Sequence, residues 1–439
     1  MGQPMTSVLI ASVPIHGHVA PLLTVARQLV ERGDDVRFLT GARFADVVAA
    51  TGARHVALPP DADLDDRQDF NETFPERAAL RGPRAAAHDI EHVFVRPGRP
   101  QHDAVMELHA AEPVDVLLTD PAFLGGALLA GHPAGVRPPL VVGGVFPLMI
   151  SSRDTAPFSM GLPPVRGPLG RLRNAALAAL VDRTVFARSR EIVDDMYRDL
   201  HGRPFDTPVF DWPRHADAIV QFTVPEFEYP RSDAPANLRF AGALPASGTA
   251  APLPDWWGDL DGSRPVVHVT QGTIANKDFG QLVAPALEAL ADEDVLVVVA
   301  TGGRPLDTLP PLPGNARAAE LLPYDELLPR TDAYVTNGGY GGVQLAMRYG
   351  VPIVATGGHE DKPEVGARVA WSGVGVRFRA ERVAPRALRR AVRRVLSDSA
   401  IRTASRAMAA RMAESDGMRV LTEVLDGLSA AQRTTRSGR

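Results

Sequence analysis

The stretch TNGGYGGVQLAMRYGVPIVATGGHEDKPEV, residues 336–365, decides the fold. Asp332 to Thr336 reads as a short β-strand running into Asn337-Gly338-Gly339-Tyr340-Gly341-Gly342, after which Val343, Leu345, Ala346 and Met347 open a helix. Four glycines around one aromatic bare the backbone, so a phosphate can approach free N–H groups at the positive end of a helix dipole. Gly350-Val351-Pro352 ends that helix, Ile353 to Ala355 makes the next strand, and the polar run His359-Glu360-Asp361-Lys362-Pro363-Glu364 follows its carboxyl end. Strand, turn, helix and strand in this order make an α/β unit, and open α/β sheets take ligands beyond the carboxyl ends of their strands.

The alternation recurs outward from this core. Val266 to Thr270 and Val295 to Ala300 read as strands of the same half, with the loop Gln271-Gly272-Thr273 and a helix Phe279 to Ala291 between them. At the other end of the chain, Ser7 to Val13 reads as a buried strand. Ile15-His16-Gly17-His18 turns, and Val19, Leu22, Leu23, Ala26, Leu29 and Val30 repeat at helical spacing up to Gly33. Val36 to Thr40, Val114 to Thr119, Leu140 to Val145 and Ala218 to Phe222 are further strands, the last closing the first sheet. This β-α-β start lacks G-x-G-x-x-G, which argues against NAD or FAD there. Pro59 to Gln101 is irregular and partly helical, suited to lining a cleft, and Arg171 to Leu200 reads as one long helical stretch. Its apolar side is Leu172, Ala176, Leu180, Val185, Ile192, Val193 and Met196. Proline-rich residues 226–262 read as a linker between domains 1–225 and 263–439. Arg386 to Val395 and Ile401 to Leu428 read as helices, and Ser429 to Arg439 as a frayed tail.

A chain of 439 residues suits two domains. A net charge of -5 offers no electrostatic case for nucleic acid, and zero cysteines exclude disulfides and thiolate chemistry and fit a reducing cytosol. No apolar run reaches the roughly 20 residues of a membrane span, and the start Met1 to Ser7 lacks a signal-peptide pattern, so a cytoplasmic protein is expected. Only two lysines occur, Lys277 and Lys362, and both fall in loops of the second half.

With these residues in view, the chain resembles the family 1, GT-B glycosyltransferases, and more narrowly those of actinobacteria that glycosylate macrolides and other natural products. From Pro323 through Asn337 to Asp361-Lys362 the spacing fits the family pattern without a gap. The resemblance implies two Rossmann-like domains whose parallel sheets face each other across a cleft, with a nucleotide-diphosphate sugar bound by the second. Identity departs at contact positions. Asn337 stands where the family has a phosphate-binding His, Gly342 where Ser or Thr is usual, Leu345 where many members carry a ribose-binding Glu, and Lys362 where a Gln is common. Leu321-Leu322-Pro323-Tyr324 occupies the nucleotide-base stretch, with Leu321 in place of a stacking Trp.

Sugar transfer needs a base for the acceptor hydroxyl, a cradle for the departing diphosphate and a dry cleft. His18 is the expected base, at the end of the first strand and in the family's (G/T)HxxP pattern, with His16 as its local competitor. Asp120, at the end of the Val114–Thr119 strand, is the expected carboxylate behind it, and Asp115 is the rival. Thr270, Gly272, Thr273, Leu322, Asn337, Gly339, Gly341, Gly342, Asp361 and Lys362 are the expected donor-side residues, and His16, Phe123 and Phe146 the acceptor-side ones. Lys362 or Lys277 is expected to make up for the missing His at Asn337. No DxD, HExxH or similar ligand cluster is found, so no metal and no cofactor is expected beyond the sugar nucleotide as co-substrate. Asp361-Lys362 favours a fully hydroxylated hexose and UDP-glucose ahead of a dTDP-deoxysugar. The acceptor implied by the resemblance is a hydrophobic macrolide, ansamycin or polyketide; the alternatives are an auxiliary binding protein without turnover and a sugar-nucleotide epimerase.

Overall fold

A computed structural model describes residues 5–245, 251–273 and 276–437. Two parallel sheets organise the chain. The first holds β1 (Ser7–Ala11), β2 (Asp35–Thr40), β3 (Arg54–Ala57), β4 (Val116–Thr119), β5 (Leu140–Gly144), β6 (Ala218–Gln221) and β7 (Leu238–Phe240), in the spatial order β3-β2-β1-β4-β5-β6-β7. The second holds β8 (Val266–Thr270), β9 (Leu296–Ala300), β10 (Ala316–Ala319), β11 (Ala333–Thr336), β12 (Ile353–Ala355) and β13 (Gly375–Arg377), in the order β10-β9-β8-β11-β12-β13. Parallel strands covered by helices on both faces have no polar side, which is why Val8-Leu9-Ile10-Ala11 and Leu296 to Ala300 read as unbroken apolar runs and lie fully buried.

In each sheet the chain order reverses direction at one place, between β1 and β4 and between β8 and β11. The loops leaving those strands diverge to opposite faces and leave a crevice at the carboxyl ends, where doubly wound sheets bind ligands. His18 and Asp120 leave the first crevice; the Gln271 and Asn337 loops leave the second.

Several expectations need correction. The segment read as linker supplies β7, which pairs with β6, so β7 and not β6 closes the first sheet; residues 246–250 of that segment lie outside the described ones. The Arg171–Leu200 stretch is two helices, Pro168–Thr184 and Ala187–His201, broken at Val185-Phe186. The expected apolar side is buried only in part: Val193 is buried, whereas Leu172 and Leu180 are 68% and 56% exposed. Ile401–Leu428 also divides, into Ser399–Ala413 and Gly417–Ser437. The expected frayed tail stays helical to Ser437, with Ser429 and Gln432 buried and Arg433 donating to Asp115 at 3.2 Å. Residues 438–439 of that tail, like residues 1–4, are outside the described ones.

Helix Gly417–Ser437 crosses back over the first half, where Leu421 and Leu425 join the core formed by Val8, Ile10, Val116 and Leu118. A buried ionic cluster also ties the halves together. Glu228 accepts from Arg368 Nε and Nη2 at 3.0 and 2.9 Å and from the Leu148 amide at 2.8 Å, while Arg368 Nη1 donates to Glu364 at 2.7 Å. The Tyr229 ring lies 4.2 Å from the Arg368 guanidinium carbon. Burial alone opposes ionisation of Glu228, but Arg368 and Arg231 more than offset it and hold the carboxyl below its usual range. No helix among the described residues is long and apolar enough to cross a membrane.

Candidate active site

His18 sits in the first turn of helix His16–Arg32, which starts five residues after β1 ends; Asp120 follows β4, the neighbouring strand. Two residues 102 apart in sequence thereby meet, with His18 Nδ1 3.0 Å from Asp120 Oδ1. Asp120 is wholly buried, and its position is fixed by two amides: Val13 N–H donates to Oδ2 at 3.0 Å and Ala122 N–H to Oδ1 at 2.8 Å. A carboxylate facing Nδ1 only accepts, so Nδ1 carries the proton and Nε2 keeps its lone pair. The ring is 15% exposed and set between aromatics, with Phe146 edge-on at 5.3 Å and Phe94 at 6.1 Å; Phe158 extends the wall from Phe146 at 6.0 Å. Phe94 lies on a π-helical turn, Ile90–Val95, inside the irregular Pro59–Gln101 region. Sequence reading missed it. An aromatic in a segment already assigned to the cleft was the available signal.

On the facing side, helix Tyr340–Arg348 begins at Gly339 with no side-chain cap, so its first-turn amides point outward unpartnered by the chain's own side chains. A Cβ at Gly341 would meet nothing within 4 Å, which leaves open space above those amides. Gly338 (φ 90°) and Gly357 (φ 117°) hold the flanking loops in left-handed backbone, and a Cβ would lie 2.9 Å from Thr356 O and 2.4 Å from Asn337 O respectively. Asp361 immediately precedes helix Lys362–Trp371. Its carboxyl is pushed up to about 6, chiefly by burial, with Glu360 adding to the rise while Lys362 and His18 oppose it. Asp361 thus lies close enough to His18 for their charges to interact. Glu360 itself has φ 59°, unusual for a non-glycine residue, so strain collects at this loop.

Other expected contacts are revised. Phe123 is fully buried in the core and faces no cleft, because the chain turns inward after Asp120-Pro121. The Leu322 side chain is likewise buried, while Leu321 beside it is 44% exposed. Thr270 is buried, and its hydroxyl accepts from the Gly272 amide at 3.1 Å and hydrogen-bonds Tyr324; Thr273 is exposed on the loop. Gln271 Oε1 takes the Leu282 and Val283 amides at 3.1 and 3.0 Å, capping helix Val283–Leu290, so that helix end is not free for phosphate. Asn337 Nδ2 donates to Gln271 O at 2.5 Å and bridges the two loops. A Cβ at Gly342 would lie 2.5 Å from Tyr334 Oη, so glycine there is a packing requirement. Lys362 pairs with Glu360, and Lys277 is exposed. His16 is half-buried, its amide donating to Asp66 at 2.7 Å, and burial lowers its pKa. No metal-ligand cluster was read from the sequence, yet Glu76, His88 and His92 converge in the irregular region, apart from the His18–Asp120 pair.

Comparison with known proteins agrees with this architecture. Residues 284–428 match the family described as erythromycin biosynthesis protein CIII-like, C-terminal domain. The chain is 42% identical over 434 residues to 4'-demethylrebeccamycin synthase of Lentzea aerocolonigenes, covering 96% of this chain and 99% of that one. It is 36% identical over 447 residues to UDP-glycosyltransferase 2 of Phaeomoniella chlamydospora, covering 97% and 96%. The crystal structure of CalG4, the calicheamicin glycosyltransferase, superposes with a TM-score of 0.72 at 23% identity, covering 96% of this chain and 98% of that one. Two facing parallel sheets, a crevice at each switch point and full-length likeness to these enzymes place the chain in the GT-B glycosyltransferases, as a member similar to those of actinobacterial natural-product biosynthesis.

Proposed function

We propose that the chain moves a hexose from a nucleotide-diphosphate sugar to a hydroxyl of a hydrophobic aglycone of the macrolide, ansamycin or polyketide kind, inverting the anomeric carbon. His18 Nε2 takes the hydroxyl proton and the acceptor oxygen attacks the anomeric carbon. The bond to the diphosphate breaks, and its electrons leave with the nucleotide. Asp120 fixes the imidazole tautomer and offsets the charge that develops on the ring. The growing charge on the leaving diphosphate is met by the uncapped amides of helix Tyr340–Arg348. Asp361 and Lys362 meet the sugar hydroxyls, and Phe94, Phe146 and Phe158 face the aglycone. One displacement turns an α-linked donor into a β-glycoside.

The observation that carries this reading is the 3.0 Å pairing of His18 with a buried carboxylate, on the side of the cleft facing an uncapped helix start. The full-length relative named a UDP-glycosyltransferase supports a UDP-sugar ahead of a dTDP-sugar. One observation favours a binding protein without turnover: Asn337 is spent on Gln271 and Lys362 on Glu360, which leaves the donor side short of positive charge. Incubation with UDP-glucose or dTDP-glucose and an aglycone panel, read by mass spectrometry, separates the readings. A hexose-sized gain that disappears in His18→Ala supports transfer. Donor binding with no product from any aglycone supports the binding protein, and a changed sugar nucleotide without acceptor supports an epimerase.

A further inference from the structure

We infer that Glu76, His88 and His92 form a site for a divalent first-row transition ion of the Zn2+ type, outside the catalytic pair. His88 and His92 stand four apart on consecutive helical turns, so their rings share a face and stack with centroids 4.0 Å apart at 21°. Glu76, from the turn Pro75–Ala79, closes the group, and the three ligand atoms lie within 4.8 Å of one another. A tetrahedral ion with bonds of about 2.1 Å separates its ligand atoms by about 3.4 Å. His88 Nε2 and Glu76 Oε1 already stand 3.2 Å apart, and a small turn of the His92 ring brings the third ligand in.

The outer contacts match what a metal-bound imidazole needs. His92 Nδ1 lies 3.0 Å from the His88 carbonyl oxygen, to which it can only donate, so Nε2 is left with its lone pair. His88 Nδ1 is buried without a hydrogen-bond partner, and the nearest carboxylate is Asp89 at 3.6 Å. Asp89 is in turn held by Arg77 Nε and Nη2 at 2.5 and 2.8 Å. An ion on Nε2 would sharpen the His88–Asp89 contact into the carboxylate–histidine–metal arrangement. Phe74 closes one side, 5.8 Å from His88 and 5.4 Å from His92. Two imidazoles with one carboxylate suit Zn2+ and its neighbours, and not Ca2+ or Mg2+, which take oxygen ligands.

The ion would cross-link the turn Pro75–Ala79, the helix Pro83–Asp89 and the π-helical turn Ile90–Val95, whose Phe94 stands against His18. Its role is to set the aromatic wall on the acceptor side, leaving the chemistry to the His18 pair.

The test is calorimetric titration of Zn2+ into the untagged, chelator-stripped full chain, with His88→Gln, His92→Gln and Glu76→Gln alongside. One equivalent is expected to bind to the wild type, and each variant should weaken binding by at least about tenfold. Glu76 is exposed and makes no core contact, so Glu76→Gln remains informative should a histidine variant misfold. Zn2+ should also lower the acceptor KM of the wild type with kcat unchanged, and have no such effect on His92→Gln. Absence of stoichiometric binding, or wild-type affinity in Glu76→Gln and His92→Gln, overturns the site.

Discussion

Asp120→Asn is the sharpest probe of the proposed catalytic pair. Three donors converge on the two carboxylate oxygens: Val13 N–H on Oδ2, and Ala122 N–H together with His18 Nδ1 on Oδ1. Asparagine keeps one acceptor and replaces the other with an NH2. The less costly orientation turns the NH2 toward Val13, where two donors then face each other in a buried place, at about 1–3 kcal/mol of stability. His18 keeps its tautomer but loses the negative charge that offsets the imidazolium, so kcat should fall by about 10²–10³-fold, or about 3–4 kcal/mol. Turning the amide the other way puts NH2 against Nδ1 and drives the proton onto Nε2, which costs still more. Donor affinity should hold, because Asp120 lies on the first sheet and the donor amides on the second. The assay is initial rates with an accepted aglycone and UDP-glucose, with the donor Kd measured separately. The His18→Ala/Asp120→Asn double variant should be no slower than His18→Ala, since the two residues act as a unit. The reasoning fails if Asp120→Asn keeps more than about a tenth of wild-type kcat, or if the two losses multiply.

Asp361 is protonated below about pH 6 and charged above it, so donor affinity should weaken as pH falls from 7 to 5, and Asp361→Asn should flatten that profile when binding is measured calorimetrically. Because an acid with a raised folded pKa binds more protons folded than unfolded, its effect on stability turns unfavourable as pH rises from its ordinary value through about 6; Asp361→Asn should therefore be the more stable protein at pH 7 in denaturant titrations. Arg368→Met strands Glu228 and Glu364 as buried carboxylates without their main partner and should cost about 3–5 kcal/mol in chemical denaturation. Gly338→Ala forces a Cβ into left-handed backbone 2.9 Å from Thr356 O; a loss of about 1–3 kcal/mol together with lost donor binding is expected.

The parts of the molecule legible from sequence share a physical cause. Central strands such as Val8 to Ala11 are buried on both faces and announce themselves as apolar runs, and each strand end places the next residue at the crevice, so His18 and Asp120 could be paired across 102 positions. The strands that escaped, β3 (RHVA), β7 (LRF), β10 (ARAA) and β13 (GVR), are short, stand at or near sheet edges and carry arginine, because main-chain pairing asks little of their side chains. Phe123 was misplaced because proximity to Asp120 along the chain does not give the direction of a side chain after a turn. The break at Val185-Phe186 has no glycine or proline to mark it, and nothing local to Gln271 announces that it caps a helix eleven residues on. Convergence of Glu76 on His88 and His92 depends on how an aperiodic stretch folds over itself. The His88–His92 spacing alone was readable, in HDIEH.

The return of the last helix onto the first half changes how the cleft can move. A body attached to another by a single strand can swing in any direction; one attached at two separate places is left with rotation about the line through them. Here the chain passes between the halves once after β7 and again between Ala413 and Gly417. Relative movement of the halves is thereby narrowed towards rotation about the line through those two passages.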